Sequence, residues 1–109
     1  MRKVTEQTVR AFLNRERKSV GNTSCTGEEL HLHGNCIAYW RDNGETQYFN
    51  ISMAGWPTVT TRERLNGLLH LAGTGARIFQ KDSAQYISYG DGSLASMPEW
   101  KWITFEAKA

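Results

Sequence analysis

The spacing of apolar residues changes period along the chain, and each change marks an element. Val9, Phe12 and Leu13 recur at helical spacing near the start. Thr5 offers a capping hydroxyl for that first helix, which is expected to run to about Arg17, with Ser19–Asn22 as its exit turn. From Thr23 the period falls to two: Leu30 and Leu32 alternate with His31 and His33, and Gly34-Asn35 signals a turn. Cys36–Arg41 reads as a strand with Ile37, Tyr39 and Arg41 on one face and Cys36, Ala38 and Trp40 on the other. Asp42-Asn43-Gly44 is the strongest hairpin signal, because Asn-Gly supplies the two positive φ values of a type I′ turn. Gln47–Met53 returns, with Phe49, Ile51 and Met53 sharing a face.

The longest helical pattern lies within Ala54–Gly73. Pro57 fixes its own φ and pushes Trp56 towards extended backbone, so the preceding strand stops near Gly55. Thr60 and Glu63 have capping-box spacing. Leu65, Leu68, Leu69 and Ala72 follow on one helical face, and Gly73 ends the helix. Gly67 inside it costs roughly 1 kcal/mol relative to Ala, which implies close backbone packing or an early break. Ala76–Gln80, Gln85–Tyr89 and Trp100–Phe105 are further strands, with Ser93–Glu99 as a loop.

The order α, three or four strands, α, two or three strands predicts an α+β fold. An antiparallel sheet of five to seven strands carries two helices on one face. Residues 1–109 form a single domain.

Composition narrows the classes. Hydrophobic residues make up 39% and charged residues 22%, which excludes a disordered tail and a membrane protein. No apolar run reaches the ~20 residues of a span, and no apolar stretch follows the basic start, so a cytosolic location is expected. A net charge of +2 demands no nucleic-acid ligand. Cys25 and Cys36 are expected to be free thiols there. Four tryptophans either build the core or leave an aromatic surface.

Candidate chemistry is sparse. His31 and His33, two apart on a strand, would face one side, with Cys36 close by; these are the metal candidates, but their spacing matches no standard finger or ribbon, and no metal is expected. Arg62 and Arg64 at a helix start beside Thr58, Thr60 and Thr61 could hold a phosphate, although two arginines in a first turn oppose the helix dipole. Arg10, Arg15, Arg17 and Lys18 form a basic patch that could follow a nucleic-acid backbone. No nucleophile elbow or phosphate loop is present, so no catalytic residue and no cofactor are expected.

Several phrases carry a resemblance when taken together. They are Gly21-Asn22-Thr23; Leu32-His33-Gly34-Asn35 with Ile37-Ala38; Ala54-Gly55-Trp56 with Thr58; and Thr60-Thr61-Arg62-Glu63-Arg64-Leu65-Asn66-Gly67-Leu68. The pattern resembles a widespread group of small proteins of tailed bacteriophages and prophages that carries no assigned activity. It covers roughly Thr5 to Arg77 and continues weakly to the C-terminus. The chain departs from shorter members by extra residues around Gly92–Pro98. The resemblance implies a phage origin and a host-cell cytoplasm, and it transfers no site residues.

The expected function is that of a non-enzymatic phage accessory protein that binds a host protein or ribonucleoprotein complex. Inhibition of a bacterial defence system, such as a CRISPR effector, is one form of it. Binding residues are expected among Arg62, Arg64, Trp56, Trp40, Arg15, Arg17 and Lys18. One alternative is nucleic-acid binding by Arg, Lys and exposed aromatics; another is a small metal- or Cys/His-dependent enzyme.

Overall fold

A computed structural model describes residues 1–107. The elements are α1 (Lys3–Leu13), β1 (Arg17–Val20), β2 (Thr23–Thr26), β3 (Glu29–Leu32), β4 (Asn35–Asn43), β5 (Thr46–Ile51), α2 (Val59–Leu71), β6 (Arg77–Lys81), β7 (Ala84–Ser88), β8 (Leu94–Ser96) and β9 (Ile103–Glu106). Six strands form one antiparallel sheet in the order β1-β2-β3-β4-β5-β9, and β6-β7-β8 form a second. The α+β class stands. The larger sheet has six strands, but Ala76–Gln80 and Gln85–Tyr89, expected in that same sheet, fall into β6 and β7 of the separate smaller one. No helix among the described residues is long and apolar enough to cross a membrane.

Aromatic packing joins α1 to the large sheet. Trp40, Phe49 and Phe105 are cross-strand partners on β4, β5 and β9, so they share a face. Phe12 of α1 stacks on Trp40 at 5.3 Å and meets Phe49 edge-on at 6.5 Å. The Trp40 indole Nε1–H donates to the Phe12 carbonyl at 2.8 Å, satisfying one of the open carbonyls at the helix end. Leu30, Ala38, Ile51 and Ile103 continue this buried face. Helix α1 ends at Leu13, earlier than expected, because Arg15 takes φ 59° and turns the chain into β1. Ser19 and Val20, expected in an exit turn, are therefore strand residues.

The N-cap of helix α2 lies two residues before the expected one. Thr58 is the N-cap, its Oγ1 accepting from the Thr61 N–H at 3.2 Å, and Glu63 turns away from the helix start. Leu65, Leu68 and Leu69 are fully buried as expected. Gly67 has a specific reason: a Cβ there would lie 2.4 Å from Thr5 Cγ2. Close approach of α1 and α2 therefore excludes any side chain at Gly67. The smaller sheet hangs on α2 through Asn66, whose amide donates to the Ile78 carbonyl at 2.9 Å and accepts from the Ile78 N–H at 2.7 Å. A side chain thus pairs with edge strand β6 as a neighbouring strand would.

Two further local expectations change. The β4–β5 hairpin turns through Gly44-Glu45, with Gly44 at φ 63°, so the two-residue loop sits one residue later than the Asn-Gly reading. Leu94–Ser96, expected as loop, pairs with β7 as strand β8.

Gly67→Ala is expected to destabilise the fold by about 1–3 kcal/mol through overpacking against Thr5, although Ala is the better helix former. Urea unfolding measures this. An unchanged or raised midpoint would mean that the helices separate without cost.

Candidate functional site

The most constrained polar cluster is built on Arg64. Its side chain is 2% exposed. Nε donates to Thr23 Oγ1 at 2.9 Å, Nη1 to Thr5 Oγ1 at 3.0 Å and Nη2 to Asn22 Oδ1 at 3.2 Å, and Nη1 also pairs with the Glu63 carboxylate. Thr5 donates to Glu63 in turn, and Thr23 donates to Asn22 Oδ1 at 2.8 Å. One guanidinium thereby joins α1, α2 and the turn between β1 and β2. Thr5, expected as a cap, is buried inside α1 and serves this cluster. Arg64, expected as a surface cation, has its donors turned inward and is unavailable to an external anion.

Two of the other expected basic residues, Arg62 and Arg15, are also committed to partners within the fold, whereas Arg17 and Lys18 stay at the surface. Arg62 Nη1 donates to the Pro57 carbonyl, Gln80 and Gln85 at 3.1, 3.2 and 2.9 Å, which holds α2 against the smaller sheet. The phosphate cradle imagined at this helix start is therefore not assembled: Arg64 points inward, Arg62 points to the small sheet, and Thr58 already caps the helix. Arg15 lies 4.0 Å over the Trp40 ring and donates to Asp42 Oδ1 at 2.9 Å. Arg17 is exposed on edge strand β1 and donates to the Thr26 carbonyl at 3.3 Å. Lys18 is exposed beside it. Trp40, expected as a surface anchor, is 8% exposed and belongs to the core.

The remaining tryptophans lie at the surface. Trp56, Trp100 and Trp102 are 57%, 69% and 42% exposed. Trp56 follows a tight turn in which Ala54 and Gly55 both take positive φ, 54° and 81°. Trp100 lies on Gly55 so closely that a Cβ there would come within 2.3 Å of its ring, and the Gly55 N–H donates to the Glu99 carbonyl at 2.9 Å. Trp56 and Trp100 therefore both stand exposed at one turn, Trp100 packed on the residue that precedes Trp56.

Trp56 also walls a pocket of ≈ 440 Å³. Its apolar floor is Leu32, Ile37 and Met53; His33 and Asn35 stand on one side, and Thr58, Thr60 and Thr61 of the α2 start on the other. Residues from three of the phrases that carried the phage resemblance meet here. His33 belongs to the turn after β3, at φ 51°, and its Nε2 lies 3.4 Å from Asn22 Nδ2.

His31 and His33, expected on one side, are separated by that turn. His31 instead joins Glu29 and Cys36. The pairing of β3 with β4 carries a bulge between Leu30 and His31, where Ile37 is the extra residue. Ile37 enters the core together with Ala38, and Cys36 comes beside His31 on the opposite face. This reverses the alternation read from the sequence. Glu29, His31 and Cys36 present ligand atoms all within 4.8 Å of one another. Burial raises the Cys36 thiol above its ordinary pKa, and the nearby Glu29 charge adds to this. Glu29 went unnoticed in the sequence, although its spacing of two from His31 places both on one strand face.

Tyr39 is the cross-strand partner of Glu29, and it meets Trp102 edge-on at 5.0 Å. Asn50, the next partner of Tyr39, is buried with its Nδ2 unpaired among the described residues.

A family model described as Kyanoviridae Gp96 protein matches residues 1–107. No curated protein and no solved structure matches the chain.

Arg64→Ala is expected to cost about 3–5 kcal/mol, because it strands the Glu63 carboxylate and three polar side chains. Arg64→Lys should recover only part of this, since an ammonium lacks the planar fork. Chemical denaturation with an unchanged slope reads the difference. A loss below about 1 kcal/mol would reduce the cluster to a surface ion pair.

Proposed function

The chain belongs to the Kyanoviridae Gp96 family, a phage protein family, and from that footing we propose a non-enzymatic accessory protein that binds a host protein in the host cytoplasm. The observation that supports this reading is the exposure of Trp56 and Trp100 at one turn, with Trp56 walling a largely apolar pocket. Exposed tryptophans are residues that anchor protein interfaces, because they bury a large area at little entropic cost. Arg62 and Arg64, the pair that would have favoured a phosphate, are tied up inside the fold. A bacterial defence complex, with a CRISPR effector as the first case to test, is the partner class that best matches a small phage protein of this kind.

A second reading rests on a different observation. Tyr39, Trp102 and Arg41 share the face of the large sheet opposite Phe12, and Arg41 and Tyr48 border a hollow of ≈ 320 Å³ with Thr104. Aromatics and a cation on an open sheet can stack and clamp single-stranded nucleic acid.

Trp56→Ala should leave unfolding within about 0.5 kcal/mol of the parent, as for other exposed substitutions. It should weaken capture of the host partner by roughly 30-fold, the effect of removing a 2 kcal/mol anchor. Quantitative pull-down from host lysate alongside a melting curve separates the two effects; equal capture by both proteins rules out this surface. Oligonucleotide binding with a steep salt dependence, abolished by Trp102→Ala, would put the nucleic-acid reading in its place.

A further inference from the structure

We infer that Glu29, His31 and Cys36 form a binding site for a zinc-class divalent transition metal on the outer face of the large sheet. Three observations carry it. First, the bulge in β4 places the Cys36 sulfur beside His31, where regular alternation would have turned it to the opposite face. Second, the His31 ring is held between two oxygens: Nε2 lies 2.8 Å from Glu29 Oε1 and Nδ1 lies 3.4 Å from the Gly34 carbonyl. In the tautomer that carries its proton on Nδ1, towards that carbonyl, Nε2 offers its lone pair to a metal ion shared with Glu29. Third, a backbone carbonyl behind the distal ring nitrogen is the usual support of a metal-bound histidine.

The donor set selects the ion. A thiolate, an imidazole and a carboxylate suit zinc and its cobalt analogue and disfavour magnesium and calcium, which take oxygen ligands. Bonds of about 2.0–2.3 Å space tetrahedral ligand atoms at roughly 3.5 Å, and the three ligand atoms, all within 4.8 Å of one another, come to that spacing by small side-chain rotations. On binding, the Cys36 S–H bond breaks, its proton passes to solvent, and the sulfur electron pair forms the metal bond. Three protein ligands leave a fourth position for water or a partner's side chain. Glu29, His31 and Cys36 are not among the residues that line the Trp56 pocket, and the site binds metal whether or not that pocket takes a partner.

The test is titration of reduced, chelator-stripped protein without a His tag, first with cobalt(II) and then with zinc(II). About one equivalent of cobalt should bind, with thiolate-to-cobalt charge-transfer absorption, and zinc but not magnesium should displace it. Cys36→Ser should abolish the charge-transfer band and Cys25→Ser should retain it. His31→Ala, a partly exposed position, should weaken zinc binding at least tenfold while circular dichroism stays unchanged. The proposal falls if cobalt binds below about 0.2 equivalents, if the band follows Cys25, or if folded His31→Ala binds zinc as the parent does. In those cases the Glu29–His31 contact is a hydrogen bond that holds no metal.

Discussion

The Arg64 guanidinium is the constraint on which the rest of the arrangement depends. It is a charge inside the fold, and a buried charge is tolerated only when its donors are met and its counterion is close. Thr5, Asn22, Thr23 and Glu63 meet those needs from three separate parts of the chain. Satisfying one residue therefore sets the approach of α1 to α2 and the position of the β1–β2 turn. Gly67 follows from the same geometry, since only a residue without a side chain lets Thr5 come close enough to reach Arg64. Leu65, Leu68 and Leu69 supply the apolar energy of this contact, while the arginine makes one relative placement of the helices preferable to its neighbours.

Once that cluster forms, the character of the surface changes. Arg62, Arg64 and Arg15 hold elements together by hydrogen bonds and stacking, so positive charge that looks free along the chain is spent internally. Aromatic area moves the other way. Trp40 is drawn inside by Phe12 and Phe49, whereas Trp56, Trp100 and Trp102 stay outside on supports made by Gly55 and Tyr39. Three indole rings thus stand exposed while Arg62 and Arg64 serve the fold, and this contrast is what supports the proposal of a protein partner.

Legibility in the sequence followed the range of the forces involved. The α2 pattern, the β4–β5 hairpin and the buried leucines were readable because periodicity and turn chemistry act over a few residues. Errors clustered where a single residue changed the local geometry. Arg15 at positive φ ended α1 early, the Gly44-Glu45 loop shifted the hairpin by one residue, and the bulge at Ile37 exchanged the faces of Ile37 and Cys36. The last of these hid the Glu29–His31–Cys36 cluster. Its Glu29–His31 half was visible as a spacing of two on a strand, but the side taken by Cys36 was not.

By itself the sequence determined the α+β class, the order of helices and strands, the apolar faces of α2 and β5, and the resemblance to phage proteins, because each of these is written in local spacing and composition. Only the tertiary structure decided which arginines are internal, which tryptophans are exposed, that a second small sheet hangs from Asn66, and which histidine sits beside a cysteine. Those outcomes depend on pairings between residues tens of positions apart. Arg64 with Thr5 and Thr23, Trp40 with Phe12, and Trp100 with Gly55 meet only after packing has chosen between burial and solvent for each side chain.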